Sequence, residues 1–157
     1  MLTHHRGDVI AAARALAMTG QSTVLTHVVN DRGGWGRGFV LALSRVWPEP
    51  EERYRAWAAG QTRGPGLTLG VVQLVQVEPS LLVANCCAQA GYSTPGHPAF
   101  RPQAMGQCLS KLAARLPDHT FLMPRIGSGL GGYAWADVEP IVVSSLAGVK
   151  AIQVFIL

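Results

Sequence analysis

Residues 23–38 read TVLTHVVNDRGGWGRG, and this stretch decides the fold class. Thr23 to Val29 is rich in β-branched residues and ends at Asn30-Asp31, the composition of a strand running into a turn. Gly33-Gly34-Trp35-Gly36-Arg37-Gly38 follows at once. Beyond it Phe39, Val40, Leu43 and Trp47 recur at helical spacing until Pro48 stops the helix. A strand, a glycine loop and a helix in that order form the repeating unit of a sheet covered by helices.

The alternation continues on both sides. A short first strand precedes a helix over Val9 to Ala17, and Glu49 to Ala59 is a second amphipathic segment after Pro48. Leu69 to Val77 and Leu81 to Cys87 are apolar runs split by Glu78-Pro79-Ser80, which predicts two adjacent strands joined by a tight turn. Gly91 to Pro98 reads as a loop. Met105, Leu109, Leu112 and Leu116 mark one face of a helix ended by Pro117. Phe121 to Pro124 is a short strand, Gly127 to Gly132 a second glycine loop, and Val138 to Leu146 a helix with Asp137 as its N-cap. AIQVFIL (151–157) closes the chain as a buried strand. The expected fold is a three-layer α/β/α sandwich around a mixed, largely parallel central sheet.

Composition bounds the rest. With 157 residues, 48% hydrophobic and 14% charged, the chain fits one domain with a core of its own, spanning 1–157. No run of 18 apolar residues exists to cross a membrane, and MLTHHRGDVI lacks the apolar core of a secretory leader. Three cysteines, two of them the neighbours Cys86 and Cys87, read as reduced thiols of a cytoplasmic protein, buried as small hydrophobes. The net charge of +4 favours an anionic partner, but the arginines are scattered and no run of three basic residues occurs, which argues against nucleic acid.

Both glycine clusters follow a strand and open a helix, where backbone N–H groups and the helix dipole favour an anion. Two such loops in one small domain suit a diphosphate. Gly127-Ser128-Gly129-Leu130-Gly131-Gly132 matches G-x-G-x-x-G, yet only one strand remains after it, so a dinucleotide-binding βαβ unit is excluded. No Gly-Lys-Ser/Thr occurs, the only lysines being Lys111 and Lys150, and Ile126 stands where a nucleophile elbow needs glycine. His4-His5 reads as a solvated pair and His27 as a satisfied core or rim histidine; no metal motif is found and no cofactor is implied.

Gly7-Asp8-Val9, HVVND (27–31) with its glycine loop, PRIGSGLGG (124–132) and the aromatic Phe155 together resemble a macrodomain, the ADP-ribose-binding fold, over essentially the whole chain. The P-R-I-G-x-G-L segment is similar to the branch holding terminal ADP-ribose glycohydrolase and the chromatin-remodeller macrodomain. The resemblance implies that Asp8 accepts from the adenine amino group beside the Val9 backbone and that Phe155 packs near the adenosine. It implies that Gly34, Trp35, Gly36, Arg37 and Gly38 wrap the distal ribose and one phosphate. Ile126, Gly127, Ser128, Gly129, Leu130 and Gly131 would cradle the diphosphate.

That glycohydrolase uses a lysine near a central strand end and an aspartate after the second loop's Gly-Leu. Here the strand end reads Asn85-Cys86-Cys87 and the loop position is Gly131, so a lysine adduct is not expected. A single-domain chain favours an enzyme, since a reader needs a second module. The expected activity is hydrolysis of mono-ADP-ribose esters on protein carboxylates by a water positioned by Asn30, Asp31 or Gln89. The alternative is a non-catalytic reader of ADP-ribose. The expected partner is ADP-ribose or an ADP-ribosylated protein, bound by a monomer with no membrane contact.

Overall fold

The computed structural model describes residues 1–129 and 132–157. In chain order the elements are β1 (Leu2–Arg6), α1 (Val9–Met18), β2 (Thr23–Asn30), α2 (Phe39–Val46), α3 (Glu49–Ala58), β3 (Val72–Glu78), β4 (Leu81–Gln89), α4 (Pro102–Arg115), β5 (Thr120–Pro124), α5 (Trp135–Ser145) and β6 (Ala151–Ile156). The six strands make one sheet in the order β1-β6-β5-β2-β4-β3. All pairings are parallel except the β3–β4 hairpin, so the expected mixed sheet is present.

Side chains alternate across this sheet and fill two cores. On one face Val24, Ala84, Cys86, Phe121, Met123, Ile152 and Val154 pack under α4 and α5. On the other, Leu25, Val29, Val83, Cys87, Leu122 and Phe155 pack under α1, α2 and α3. The central strands are covered on both sides, which is why they read as unbroken apolar runs. No helix among the described residues is long and apolar enough to cross a membrane.

Three local expectations are corrected. β3 begins at Val72 rather than Leu69, because Gly70 turns at φ +89° and donates to Cys87 O at 2.8 Å. β4 runs on to Gln89, which pairs with Asn30 across a bulge, so Asn85, Cys86 and Cys87 lie inside the strand and not at its end. Finally α5 starts at Trp135 with Ala134 as its N-cap. Asp137 therefore sits in the first turn, where its charge favours the helix dipole without capping.

Cys86, Cys87 and Cys108 are free thiols with no exposed surface. Burial raises Cys86 well above the ordinary thiol range and pushes Cys87 up to about 12. A thiol reagent at pH 8 is expected to leave the native protein unmodified and to titrate three cysteines once denaturant unfolds it. Stoichiometric labelling of the folded protein would contradict this burial.

Candidate functional site

The carboxyl ends of β2, β4 and β5 meet beneath a cleft of about 530 Å³. β2 contributes His27 to Asn30, β4 contributes Gln89, and Pro124 closes the end of β5. Gly34 to Gly38 form one lip, Arg125 to Ser128 the other, and Tyr92-Ser93 stand across the mouth. Of the lining residues, Arg37 and Arg125 are cationic and none is a carboxylate. This is a site for an anion.

The first loop is fixed by Asn30. Its Oδ1 accepts from Arg32 N at 2.8 Å and Gly34 N at 3.1 Å, while Nδ2 donates to Gly34 O at 3.1 Å. Tyr54, buried on α3, reaches up to the same point. Its hydroxyl lies 2.7 Å from Asn30 O and 2.9 Å from Asn30 Oδ1, and accepts from Gly33 N at 3.1 Å. Burial holds the phenol far above its ordinary pKa, so this donor keeps its proton. A Cβ at Gly34 would meet the Tyr92 hydroxyl, the far end of an exposed side chain that can move aside, and would lie 3.1 Å from Asn30 Nδ2. Trp35 then turns inward and donates through Nε1 to Ser44 Oγ at 2.7 Å, which in turn donates to Glu51. The hydrogen bonds from Ser44 and Arg55 hold the Glu51 carboxyl below the usual range. The N–H groups of Gly36 and Arg37 meet no acceptor among the described residues and are available at the cleft.

In the second loop Gly129 adopts φ +65°, and a Cβ built there meets nothing within 4 Å. Ser128 spends its hydroxyl on Arg125 O at 2.5 Å. Leu130 and Gly131, expected in this cradle, lie outside the described residues.

The structure therefore brings Asn30, Gln89, Gly34 to Gly38 and Ile126 to Ser128 together in one cleft. Asp8, Val9, Asp31, Gly129 and Phe155 fall outside its lining. Asp8 caps α1, its Oδ1 accepting from Ile10 N at 2.9 Å and Ala11 N at 3.3 Å. Phe155 carries the His5 ring stacked on it at 4.9 Å, and His4 Nε2 meets Glu139 Oε1 at 2.9 Å, so the two histidines separate. Asp31 turns its carboxylate to Gly91 N at 2.8 Å.

Reading the residues alone missed Tyr54, which on an amphipathic helix looks like any core aromatic. It missed Tyr92 and Ser93, set in a loop with no motif. It also took His27 as satisfied. His27 is 1% exposed and its Nε2 meets Asn85 Oδ1 at 2.5 Å, but Nδ1 has no partner among the described residues.

No family model matches the chain. The structure of a macrodomain protein from Streptomyces coelicolor superposes with a TM-score of 0.81 at 37% identity, covering 100% of this chain and 99% of that one. The chain belongs to the macrodomain family. It is also 26% identical over 143 residues to an ADP-ribose 1''-phosphate phosphatase of Lodderomyces elongisporus, covering 87% of each. A DNA ADP-ribosyl glycohydrolase of Mycobacterium tuberculosis is 26% identical over 148 residues, and there the match covers 92% of this chain but 38% of the relative.

The Tyr54 hydroxyl generates a direct test. Tyr54→Phe strands Gly33 N and one Asn30 acceptor, and should cost about 1–3 kcal/mol of stability. Hydrogen exchange should quicken at Gly33 and Gly34 more than at the β2 amides below them. Uniform exchange changes would mean that the tyrosine supports the core and not the loop.

Proposed function

We propose that this macrodomain binds ADP-ribose and hydrolyses the ester linking mono-ADP-ribose to protein carboxylates, without a lysine adduct. The observation that carries this reading is the cleft itself. Two glycine loops with left-handed positions at Gly33, Gly38, Gly127 and Gly129 meet over the strand ends, the Gly36 and Arg37 N–H groups have no acceptor among the described residues, and Arg37 and Arg125 stand at the rim. Such a crevice fits a diphosphate between two sugars. Relatives named as an ADP-ribose 1''-phosphate phosphatase and a DNA ADP-ribosyl glycohydrolase support an activity on ADP-ribose derivatives.

The chemistry proceeds by water. Lys111 donates its ammonium to Gly70 O at 2.7 Å and neither it nor Lys150 lines the cleft, so no lysine is offered to the sugar. Gln89, which lines the cleft, orients the attacking water, while Asn30 holds the first loop around the distal ribose and Asp31 ties down the neighbouring loop through Gly91 N. The adenine end belongs to Asp8, Val9 and Phe155, with the second loop from Ile126 to Gly131 on the phosphates. Residues 1–157 act as one macrodomain and as a monomer; the three buried thiols suit a reducing, cytoplasmic setting. A second reading, a non-catalytic reader, is favoured by one observation: Asn30 and Asp31 already have their side chains engaged by the backbone.

ADP-ribose should bind more tightly than AMP by calorimetry, because the distal lip contacts only the former. Gly129→Val should abolish binding of both while the protein stays folded, since valine resists positive φ and fills the phosphate space. Equal affinity for AMP and ADP-ribose would remove the first loop from the site.

Catalysis is tested with a protein labelled on glutamate and aspartate through ADP-ribose esters. The chain should release label slowly, and the double variant Lys111→Ala, Lys150→Ala should match the parent. Gln89→Ala should slow release by less than the roughly 10²–10⁴-fold of a proton-transfer group, since its amide orients the water without taking its proton. Tight ADP-ribose binding with no release of label would assign the protein to the readers.

A further inference from the structure

Tyr92 lines the cleft and is 64% exposed, so a large aromatic ring stands at the mouth within reach of solvent. Single exposed aromatics are ordinary on a protein surface, but this one is carried on a pinned backbone. Gly91 before it adopts φ +65° and donates its N–H to Asp31 Oδ1 at 2.8 Å. Ser93 after it accepts at Oγ from Ala99 N at 2.8 Å, and Ala90 N donates to Ala99 O at 2.9 Å. Thr94 and His97 exchange two backbone hydrogen bonds of their own at the tip. The loop over residues 90–99 is therefore closed at its root on both sides of Tyr92. Placing the ring on a ligand costs the ordering of its side-chain torsions and little backbone entropy.

The neighbours of this loop fix which end of the cleft the ring covers. β4 ends at Gln89, which pairs with Asn30 at the end of β2, so Tyr92 leaves the sheet beside the first glycine loop. A Cβ at Gly34 would meet its hydroxyl and lie 3.0 Å from its Cε1, which sets the edge of the ring over Gly34. The return limb packs on the opposite lip, where a Cβ at Gly127 would collide with the Phe100 ring. The outgoing limb, with Tyr92, thus serves the Asn30–Gln89 end. A tyrosine ring offers an apolar face that suits the C–H face of a sugar, and covering that face removes apolar surface from water. Resting on the ADP-ribose reading, which sets the distal ribose at the first loop, we infer that Tyr92 is a specificity-determining residue whose ring covers the distal ribose and favours ADP-ribose over ADP.

The test pairs calorimetry with proton NMR, using ADP-ribose and ADP, which lacks the distal ribose. Tyr92→Ala should weaken ADP-ribose roughly three- to tenfold, what about 30–60 Å² of lost apolar contact is worth, and should leave ADP unchanged. Tyr92→Phe should hold ADP-ribose within about twofold of the parent, because the ring face and not the hydroxyl makes the contact. In the parent protein the Tyr92 ring protons should show nuclear Overhauser contacts to the distal ribose at saturating ADP-ribose. The assignment is overturned by equal losses for both ligands, by unchanged ADP-ribose affinity in Tyr92→Ala, by a Phe variant as weak as the Ala variant, or by the absence of those contacts. Failure of the parent protein to bind ADP-ribose at all would instead overturn the reading on which the assignment rests.

Discussion

One amide side chain holds the site in shape. Asn30 stands at the last position of β2, where the sheet ends and the glycine loop begins, and it is 7% exposed. Its oxygen serves Arg32 N, Gly34 N and the Tyr54 hydroxyl, and its nitrogen serves Gly34 O. Each such bond contributes only about 1 kcal/mol net, but leaving any of these buried groups unpaired costs more than that. The loop therefore has one low-energy path out of the sheet. Trp35 then falls into the core, while Gly36 and Arg37 line the cleft with N–H groups that meet no acceptor among the described residues. An aspartate at position 30 would keep the acceptor and lose the donor to Gly34 O, so the amide and not merely the shape is specified.

The binding groups divide by depth. At the rim, Arg37 and Arg125 are exposed and their attraction for an anion is screened within a Debye length of about 8 Å at physiological salt. Inside, the available donors are backbone N–H groups on fixed loops, with no carboxylate in the lining to oppose them. Fixed dipoles in a partly enclosed site need no reorganisation when the anion arrives. The scattered positive charge of the chain thus aids encounter, while specificity resides in the loops.

What the residues disclosed follows the same division. The strands and both glycine loops were legible because β-branched runs ending in Gly clusters have few other readings. The ends of elements were not. β4 continues through Ala88 and Gln89, residues of weak strand preference, because β2 offers Asn30 as a partner there. Asp137 looked like a cap, yet the helix is extended back to Trp135, whose Nε1 donates to Glu139 Oε1 at 2.9 Å. Asp8 was read for its chemistry toward a ligand and is also the cap of α1, a role that spacing alone predicts equally well. The contacts from Tyr54 to Asn30 and from Asn85 to His27 span 24 and 58 residues, and no local pattern signals them.

The same geometry restricts how the proposed hydrolysis would proceed. Among the described residues the cleft lining has no acid or lysine, and burial keeps the imidazole of His27 neutral near pH 7. Gln89, in the proposed role, would orient a water through its amide but has no basicity to take the water's proton. A leaving carboxylate, with a conjugate-acid pKa of about 4, departs without a general acid, which makes an ester the linkage this cleft is suited to cleave. The proton from water then passes to a phosphate oxygen of the substrate or to solvent. Rate in such a site would come from holding ester and water in line, and the Asn30–Tyr54 contact fixes the loop against which they would be held.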